Sequence, residues 1–345
     1  MKSPRSPRSS GYMVPPEWEK QSALWLSWPL NSTWWNGRIE EISKTFAEIA
    51  KQAARFQLVF INCVEESQDT VSEYLENAGA DLDNIRYFDI PTDDVWIRDH
   101  GPIFVKQEGT DNIAVTDWEF NAWGDKFPDY DKDNRVPREI ADAMGIPRYR
   151  YAMCLEGGSI DTNGRGYLMT TRSVQFNEAR NYDLKEDEYR RIFHHALGVD
   201  EFIWLEDGLA FDDTDGHIDN VARFAARRHI LIATTDDKEH PSYASLRRNR
   251  LKLGGIHMHG KMPDITDVPL PDPFPNKETP LPASYLNFVV LNGAVLVPTF
   301  NQSENDERAL KLIGEAFPKR EIIGIDSTLL LEEGGTLHCC TCNMF

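Results

Sequence analysis

The sequence has little of what secreted, membrane-bound and nucleic-acid-binding proteins usually carry. Five cysteines in 345 residues are too few, and odd in number, for a disulfide framework, which favours free thiols in a reducing compartment. No apolar run approaches the roughly 20 residues that a membrane span needs. Positive charge is scarce, with 37 basic against 56 acidic residues and a net charge of −19. Such a surface disfavours the binding of nucleic acid and anionic membranes and attracts small cations. The free thiols and the lack of a membrane span lead us to expect a cytoplasmic protein.

The chain nevertheless has enough apolar material for a sizeable core. Hydrophobic residues make up 41% of it and aromatic residues 11%, which is typical of a globular protein. The first ten residues are rich in Ser, Pro and Arg, and the apolar segment of a signal peptide does not follow them. We predict a disordered tail over residues 1–12 and a single domain over residues 13–345.

Strand-like apolar runs recur along the chain at even spacing. Four of them are marked by Ile103, Leu168, Leu231 and Leu296, which lie 65, 63 and 65 residues apart. Runs near residues 23 and 336 could be further copies at less regular spacing. About five units of roughly 65 residues would account for the whole chain, and such a period is typical of propellers and solenoids.

The intervals between these runs also contain helical patterns. Apolar residues recur at helical spacing over residues 38–56, 186–197 and 304–317. Each unit is therefore expected to mix strands with a helix, in an α/β architecture. Residues 262–282 are instead dense in proline, which predicts an extended loop inside one unit.

A cysteine close to the chain end is the first candidate for chemistry. Cys339 follows a double glycine in a short apolar run, and the alternation of a strand would place Leu337, Cys339 and Thr341 on one face. In that position a cysteine can be a nucleophile beside an open site or a buried structural thiol. The thiols and the histidine next to it lack the paired spacing of a zinc site.

Three other clusters supply an imidazole and carboxylates. His217 and Asp219 lie two residues apart in a segment predicted to be extended, so both side chains can face one ligand. Asp99 precedes a Gly-Pro turn, with Trp96 as a candidate apolar wall, and Glu156 precedes a Gly-Gly turn. Each cluster alone is also consistent with a structural role.

Together, the four clusters suit covalent chemistry on a guanidinium group. A guanidinium is planar and donates hydrogen bonds in a fork that carboxylates accept bidentately. Attack on its carbon needs a strong nucleophile, which a thiolate activated by nearby positive charge provides. An imidazole can protonate the leaving ammonia and deprotonate the incoming water.

The motifs resemble those of the agmatine deiminase family, a branch of the guanidine-modifying enzymes with the five-bladed α/β-propeller, or pentein, fold. The resemblance covers nearly the whole chain from Met13. It rests on six ordered motifs at residues 24–29 (LWLSWP), 96–102 (WIRDHGP), 156–160 (EGGSI), 215–223 (DGHIDNVAR), 281–288 (LPASYLNF) and 335–339 (GTLHC). It implies five pseudo-repeats of the ββαβ type, which agrees with the spacing of the apolar runs.

The resemblance also implies a role for each candidate at the reacting end of the substrate. Cys339 would attack the guanidinium carbon and His217 would act as general acid and base. Asp99 and Asp219 would bind the guanidinium nitrogens, with Glu156 supporting them. A covalent thiouronium on Cys339 would form with loss of ammonia, and water would then release the ureido product. The implied reaction uses no metal and no organic cofactor.

Further implied roles concern the far end of the substrate. Trp96 would flank the methylene chain, and Asp213 is the candidate to meet the distal amine. Two stretches depart from the family pattern: Glu333 stands where a third glycine is usual, and Cys342-Asn343 replaces a glutamine pair. These departures affect the expected substrate fit more than the reaction class.

The main functional hypothesis is therefore hydrolysis of agmatine to N-carbamoylputrescine, a step toward putrescine. Peptidyl-arginine deiminases of bacteria share this domain and are the nearest alternative, although they are usually secreted and carry extra domains. A carboxylate at the far end of the site would favour agmatine, whereas an uncharged open end would favour a peptide. Amidino transfer and a non-catalytic guanidine-binding module are further alternatives. Members of the family are often dimers or larger, so a homo-oligomer is expected.

Overall fold

The computed structural model describes residues 6–31, 33, 35–274 and 280–345. Its strands are β1 (Tyr12–Met13), β2 (Ala23–Ser27), β3 (Leu58–Asn62), β4 (Ile85–Phe88), β5 (Ile103–Gln107), β6 (Ile113–Glu119), β7 (Arg148–Cys154), β8 (Ile160–Thr162), β9 (Tyr167–Thr171), β10 (Glu201–Leu205), β11 (Ala222–Ala226), β12 (His229–Thr234), β13 (Asp264–Pro269), β14 (Val289–Val290), β15 (Ala294–Thr299), β16 (Glu321–Asp326) and β17 (Cys342–Met344). Its helices are α1 (Ile39–Ala54), α2 (Gln68–Ala78), α3 (Ile97–His100), α4 (Ala122–Asp125), α5 (Val136–Met144), α6 (Arg172–Gln175), α7 (Glu186–Leu197), α8 (Tyr243–Gly254), α9 (Ser303–Ala316) and α10 (Thr328–Leu331).

The strands form five sheets built to one plan. In chain order the three strands that they share are β17-β2-β3, β5-β6-β7, β8-β9-β10, β11-β12-β13 and β14-β15-β16, with β4 added to the first sheet and β1 to the second. In each sheet the central strand pairs with one antiparallel and one parallel neighbour. The parallel neighbour is reached through a helix, as a parallel crossover requires. The predicted five-bladed α/β-propeller of ββαβ-type repeats is confirmed.

The first blade joins the two ends of the described chain. Its central strand β2 comes from the N-terminal part, and β17, near the C-terminus, pairs with it antiparallel, with Cys342 opposite Trp25. The short segment before β17 is therefore fixed against the start of the chain. That segment contains Cys339.

The core lies between each sheet and the helix that crosses it. In the first blade, Ile42, Phe46 and Ile49 of α1 are fully buried in one cluster with Leu24 and Leu26 of β2. These helix positions follow the spacing of a single face, and burying each such side chain stabilises the fold by about 1.5–3 kcal/mol. The predicted helices over residues 38–56, 186–197 and 304–317 correspond to α1, α7 and α9.

The repeat is less regular than the sequence markers suggested. Leu168, Leu231 and Leu296 lie on the central strands β9, β12 and β15, but Ile103 lies on β5, the outer strand that precedes the central strand β6. The five central strands begin 90, 54, 62 and 65 residues apart. The first interval is long because the first blade also contains α2 and β4. The choice of Ile103 as an equivalent position was therefore wrong.

Two other expectations need correction. The predicted tail is not disordered over residues 6–12, because Arg8–Ser10 form a helical turn and β1 pairs with β5; residues 1–5 lie outside the described part. The proline-rich segment is not a continuous loop either, since β13 pairs in parallel with β12 within it. Pro269 ends that edge strand, where a missing N–H is tolerated, and Pro275 lies outside the described residues.

Among the residues that the structure describes, none of the helices combines the length and the apolar character needed to cross a membrane.

Candidate active site

The sequence-predicted site residues all lie in the connections between successive blades. Asp99 precedes β5, Glu156 precedes β8, and His217 and Asp219 precede β11. Cys339 precedes β17 in the fifth connection. These connections all lie at one end of the propeller, and each contributes a polar side chain there. Asp99 and Cys339, which are 240 positions apart in the sequence, therefore line the same pocket.

These connections surround a pocket of about 140 Å³. Its inner end is formed by Asp99 and Cys339, which are almost fully buried, and its outer end by the carboxylates of Asp94, Asp213 and Glu333. Aromatic side chains form the walls between the two ends: Trp35, Trp96, Trp123 and Phe127. The pocket is thus an aromatic sleeve with negative charge at both ends.

Asp99 is held by two hydrogen bonds on the short helix α3. Its Oδ1 accepts a bond of 3.0 Å from the Gly158 backbone N–H, and its Oδ2 accepts one of 3.0 Å from Trp123 Nε1. Burial raises the pKa of Asp99, and the His217 imidazole opposes that rise; with Asp219 and Glu156 nearby, the pKa reaches about 6. The carboxylate is therefore fixed in position and largely ionised at neutral pH, and it accepts a proton at a higher pH than an ordinary aspartate.

Trp123 reaches Asp99 from a strained backbone. Its φ is +57°, which is unusual for a bulky side chain. Residues held in this region cluster at functional sites, where surrounding contacts compensate for the strain. No pattern in the sequence marked Trp123.

Glu156 is anchored by a buried arginine that the sequence analysis missed. Arg180 Nε donates a bond of 2.7 Å to Glu156 Oε1, and both side chains are 2% exposed. The same guanidinium contacts Asp215 Oδ2 at 2.6 Å and the Thr214 carbonyl at 2.9 Å. Burial would raise the pKa of Glu156, but His217 and Arg180 lower it below its ordinary value. Arg180 therefore keeps Glu156 anionic and ties it to the connection that contains His217.

His217 lies between two carboxylates. Its Nδ1 is 3.6 Å from Asp99 Oδ1 and its Nε2 is 3.6 Å from Glu156 Oε2. Burial would lower the pKa of His217, but the negative charges of Asp99, Glu156 and Asp219 raise it to about 9. The imidazole is therefore a cation at neutral pH and can act as a general acid.

Asp219 does not lie in an extended segment as predicted, because residues Ile218–Asn220 form a helical turn. It still converges with His217 and Asp99 around Gly158. A Cβ atom on Gly158 would lie 2.6 Å from His217 Nδ1 and 2.8 Å from both Asp219 Oδ2 and Asp99 Oδ1. A glycine is required at this position because any side chain would displace all three groups.

At the inner end, among the residues that the structure describes, one carboxylate oxygen is free for a ligand, and the imidazole approaches its two carboxylates only at 3.6 Å. Within the described part of the chain, both ring nitrogens of His217 and Oδ1 of Asp219 are buried without a hydrogen-bond partner. Unpaired buried polar atoms are costly and uncommon in native proteins. Their concentration here marks the place where a bound molecule would supply the missing partners.

Cys339 lies in a turn, and the predicted strand over residues 336–341 is wrong. Its Sγ is 3.2 Å from Asn287 Nδ2, and Asn287 Oδ1 accepts bonds from Thr336 Oγ1 at 2.6 Å and from the His338 backbone N–H at 2.9 Å. Asn287, in the fourth connection, thus fixes the loop that carries the thiol. Asn287 belongs to the motif at residues 281–288, but no role was predicted for it.

The charge around the thiol opposes its ionisation. Burial and the carboxylates of Asp219 and Asp99 raise the pKa of Cys339 well above its ordinary value. The prediction was a thiolate activated by nearby positive charge of unstated source, and the charged protein groups that act on Cys339 are the carboxylates of Asp219 and Asp99. The thiol is therefore protonated in the free protein, and its activation requires a cation that arrives in the pocket.

Trp96 and Asp213 both line the pocket. Trp96 lines the pocket and packs so closely on Gly335 that a Cβ there would lie 2.5 Å from its ring. Asp213 is exposed at the outer end. The half-buried carboxylates of Asp94 and Glu333 join it there, and neither was predicted as a binding residue.

The fold and the site define a class of proteins, the penteins that act on guanidines. A DDAH from Pseudomonas aeruginosa in complex with citrulline (TM-score 0.50) and an amidinotransferase from Microseira wollei (TM-score 0.52) share 13% identity with the chain. They cover 94% and 97% of it, and all and 97% of their own chains, and at that identity show the fold alone.

A sequence model of the Porphyromonas-type peptidyl-arginine deiminases matches residues 13–344, and the chain belongs to that family. It is 35% identical over 373 residues to the agmatine deiminase of Pseudomonas aeruginosa strain UCBPP-PA14, covering 99% of this chain and 98% of the relative. It is 33% identical over 362 residues to the agmatine deiminase of Ectopseudomonas mendocina, covering 97% and 96%.

The chain is also similar to solved structures of agmatine deiminases. The agmatine deiminase of Enterococcus faecalis superposes with a TM-score of 0.92 at 26% identity, covering 99% of this chain and 98% of its own. A Cys-to-Ser variant of the C. jejuni agmatine deiminase with substrate bound superposes with a TM-score of 0.87 at 33% identity, covering 97% and 96%.

Proposed function

We propose that the protein is an agmatine deiminase, which hydrolyses agmatine to N-carbamoylputrescine and ammonia in a route toward putrescine. The single observation that carries the proposal is the charge pattern of the pocket. A thiol, an imidazolium and carboxylates meet at its inner end, and three further carboxylates stand at its outer end. Agmatine has a guanidinium at one end, an ammonium at the other and an apolar chain between them, which matches this pattern.

The inner end suits a guanidinium ion. Asp99 and Asp219 provide carboxylate oxygens, and Oδ1 of Asp219 has no partner among the described residues. A guanidinium would donate to these oxygens in the planar fork that carboxylates accept best. Its positive charge beside Cys339 would also lower the pKa of the thiol, which the protein alone raises. Binding of the substrate would thus activate the nucleophile.

The chemistry that follows uses the groups in hand. The Cys339 thiol releases its proton to solvent as the guanidinium binds, and the thiolate Sγ then forms a bond to the guanidinium carbon. His217, protonated in the free enzyme, gives its proton to the departing nitrogen, which leaves as ammonia when the C–N bond breaks. The remaining thiouronium is attacked by water, from which His217 takes a proton. The C–S bond then breaks, which returns the thiol and releases the ureido product.

Glu156 stabilises the protonated form of His217 and orients its ring in this scheme. Its carboxylate faces Nε2 of His217, and Arg180 fixes its position. A negative charge at that distance stabilises the imidazolium and orients the ring. We assign Glu156 to this supporting role.

The outer end is suited to the distal ammonium. Asp213 is our candidate for the direct contact, with Glu333 adding negative charge, and Trp96 would flank the methylene chain. Burial raises the pKa of Asp94 to about 7, so this carboxyl is only partly ionised at neutral pH. A peptidyl-arginine has an uncharged peptide backbone at this distance from its guanidinium. These three carboxyl groups would lose water there without gaining a partner, so the alternative of a peptidyl-arginine deiminase, which the name of the family keeps open, is the less favoured one.

The test is ammonia release by the purified protein from agmatine, free arginine and a blocked arginyl peptide, with Cys339→Ala as control. Turnover of agmatine in preference to the other two is expected. Turnover of the peptide would assign the protein to the peptidyl branch. Binding of agmatine without turnover would favour a guanidine-binding module, and ammonia-free transfer to an added amine would favour an amidinotransferase.

We further propose a cytoplasmic location and a homodimer or larger homo-oligomer. All five cysteines are free thiols, which is consistent with a reducing compartment. Light scattering on the purified protein measures the mass in solution and would contradict the second expectation if it gave the 39.5 kDa of one chain.

A further inference from the structure

His338, the neighbour of the candidate nucleophile, faces away from the substrate pocket. It lines a separate cavity of about 70 Å³, together with Glu17, Arg98 and Asp161. Its side chain is 4% exposed. The roles proposed so far leave this buried imidazole without a function.

Both ring nitrogens of His338 are hydrogen-bonded to carboxylates. Nδ1 is 2.8 Å from Asp219 Oδ2, and Nε2 is 2.9 Å from Glu17 Oε2. Asp219 is fully buried and Glu17 is 10% exposed. His338 thus joins a residue of the substrate pocket to a residue of the N-terminal segment.

A count of protons shows what this arrangement requires. An ionised carboxylate only accepts hydrogen bonds, and a neutral imidazole has one N–H to donate. If His338 were neutral and both carboxylates ionised, a nitrogen lone pair would face an anionic oxygen at less than 3 Å. The three side chains therefore hold one proton more than that state, either on the imidazole or on a carboxylate.

The surroundings of Glu17 favour its anion. Its Oε2 also accepts a bond from Arg223 Nη2, and its Oε1 accepts one of 2.7 Å from the Val290 backbone N–H. Arg223 is itself buried and approaches Asp161 at 3.5 Å. Burial would raise the pKa of Glu17, but Arg223 and His338 lower it well below its usual range. The extra proton is therefore not on Glu17.

Nearby positive charge also stabilises the ionised form of Asp219. Burial would raise the pKa of Asp219, but the hydrogen bond and charge of His338, with His217 and Arg223 beyond, lower it. Burial and the guanidinium groups of Arg223 and Arg98 lower the pKa of His338. This lowering opposes a second proton on the ring, but each of the two short contacts with a carboxylate oxygen needs an N–H, and this geometry decides for the doubly protonated imidazole.

We propose that His338 is a positioning residue: it carries a proton on each ring nitrogen, bridges Glu17 to Asp219, and so keeps Asp219 anionic and oriented toward the substrate guanidinium. The protonation state does not depend on the proposed function, whereas the effect on the substrate does. The two parts can therefore fail separately.

The protonation state is tested by NMR on the full-length protein with ¹⁵N-labelled histidine side chains. The chain has nine histidines, and the His338 signals are assigned by their loss in His338→Gln. At neutral pH both ring nitrogens of His338 should have the shift of a protonated nitrogen. In Glu17→Gln one of them should become unprotonated, because one of the two carboxylates that hold the proton is gone. A singly protonated His338 in the unaltered protein would overturn the proposal, whether or not the protein hydrolyses agmatine.

The effect on the substrate is tested by kinetics over a range of pH. Without the charge of His338 the pKa of Asp219 rises, so Asp219 accepts a proton at a higher pH and loses its hold on the guanidinium. His338→Gln should lower kcat/KM at least about tenfold and move the acidic limb of its pH profile to higher pH, because the desolvated Asp219 would then titrate above Asp99, which sets that limb in the unaltered protein. Glu17→Gln should give a smaller change of the same kind, since a neutral His338 can still donate to Asp219.

Glu19→Gln is the matched control for these variants. It removes one negative charge from the same segment at an exposed position and should leave both the profile and the NMR signals unchanged. If His338 only supports the fold, its variant will lower activity equally at every pH, without moving the acidic limb. Thermal unfolding of each variant shows whether a lower activity results from a loss of folded protein. If His338→Gln does not fold, the pH profile and the NMR signals of Glu17→Gln test the proposal.

Discussion

The two ends of the substrate pocket are built differently, although both are lined by carboxylates. At the inner end every carboxylate is buried and held by a specific partner: Asp99 by Gly158 and Trp123, and Glu156 by Arg180. At the outer end Asp213 is exposed to solvent and Glu333 is half-buried. Asp94 is intermediate between the two ends, because it accepts a bond of 2.7 Å from the Val95 backbone N–H and burial raises its pKa to about 7. The inner end is fixed before the substrate arrives, whereas the outer end is open to water.

This difference determines how much each end should contribute. A charge in a water-excluded site interacts strongly, and removal of its partner leaves an unpaired buried charge. An exposed ion pair is screened and contributes little. We therefore expect that the inner end provides catalysis and tight guanidinium binding, and that the outer end adjusts the choice among guanidines by small amounts.

The largest expected effect is the loss of the nucleophile. Cys339→Ala should reduce ammonia release from agmatine to below about one percent of the unaltered protein, because no other group can form the covalent intermediate. Cys340→Ala and Cys342→Ala are matched controls, since their thiols contact the carbonyls of Leu337 and Pro102 outside the pocket. Both controls should remain largely active. Retained activity in Cys339→Ala, or its loss in a control, would contradict the assignment.

Next in size are the carboxylates that face the guanidinium. Asp219→Asn or Asp99→Asn should weaken agmatine binding by a few kcal/mol, because the amide cannot replace a desolvated anion. Titration calorimetry with agmatine in a Cys339→Ala background measures binding without turnover. If these variants weakened agmatine binding no more than Asp213→Asn does, the inner end would not bind the substrate more strongly than the outer end.

The fold was largely predictable because its signals are local and repeated. The spacing of apolar residues along α1, α7 and α9, and the apolar runs at β9, β12 and β15, follow from short stretches of sequence. Errors arose where long-range pairing decides the structure. Residues 6–12 have the composition of a tail, but β1 pairs with the edge strand β5 and Arg8 forms an ion pair with Asp200.

The site was predictable where a functional side chain stands beside a glycine motif. Asp99, Glu156, His217 and Cys339 all belong to such motifs, each just before the first strand of a blade. Asn287 occupies the same place in the fourth connection, so the repeat itself could have revealed it. Nothing near Arg180 or Trp123 in the chain marks them, because their importance comes from contacts with residues 24 positions away.

The charge state of the inner end could not be predicted from the sequence, and it gives a third prediction. The pKa of His217 is raised to about 9, so the imidazole stays protonated up to that pH, and the pKa of Asp99 is raised to about 6, so it becomes anionic only above that pH. Binding needs the Asp99 anion and ammonia departure needs the protonated imidazole. The profile of kcat/KM against pH should therefore fall on the acidic side near 6 and on the alkaline side near 9.

Glu156→Gln should shift both sides of that profile to lower pH, and the alkaline side more, because Glu156 acts more strongly on His217 than on Asp99. Without the Glu156 charge the imidazolium is less stable, so the pKa of His217 falls and the alkaline limb should move to lower pH. A profile measured with the variant at saturating and at low agmatine separates this shift from a change in binding. If the alkaline limb did not move, His217 would not be the group that titrates there.

The smallest expected effect lies at the outer end of the pocket. Asp213→Asn should raise KM for agmatine about two- to fivefold and leave kcat nearly unchanged, since an exposed ion pair contributes about 0.2–1 kcal/mol. Butylguanidine, which has the same chain without the amine, is the matched substrate and should be turned over equally well by both proteins. A comparable loss with butylguanidine would mean that Asp213 shapes the pocket and does not bind the ammonium. A loss of a hundredfold with agmatine alone would mean that the outer end is as preorganised as the inner one, because only a desolvated pair gives an effect of that size.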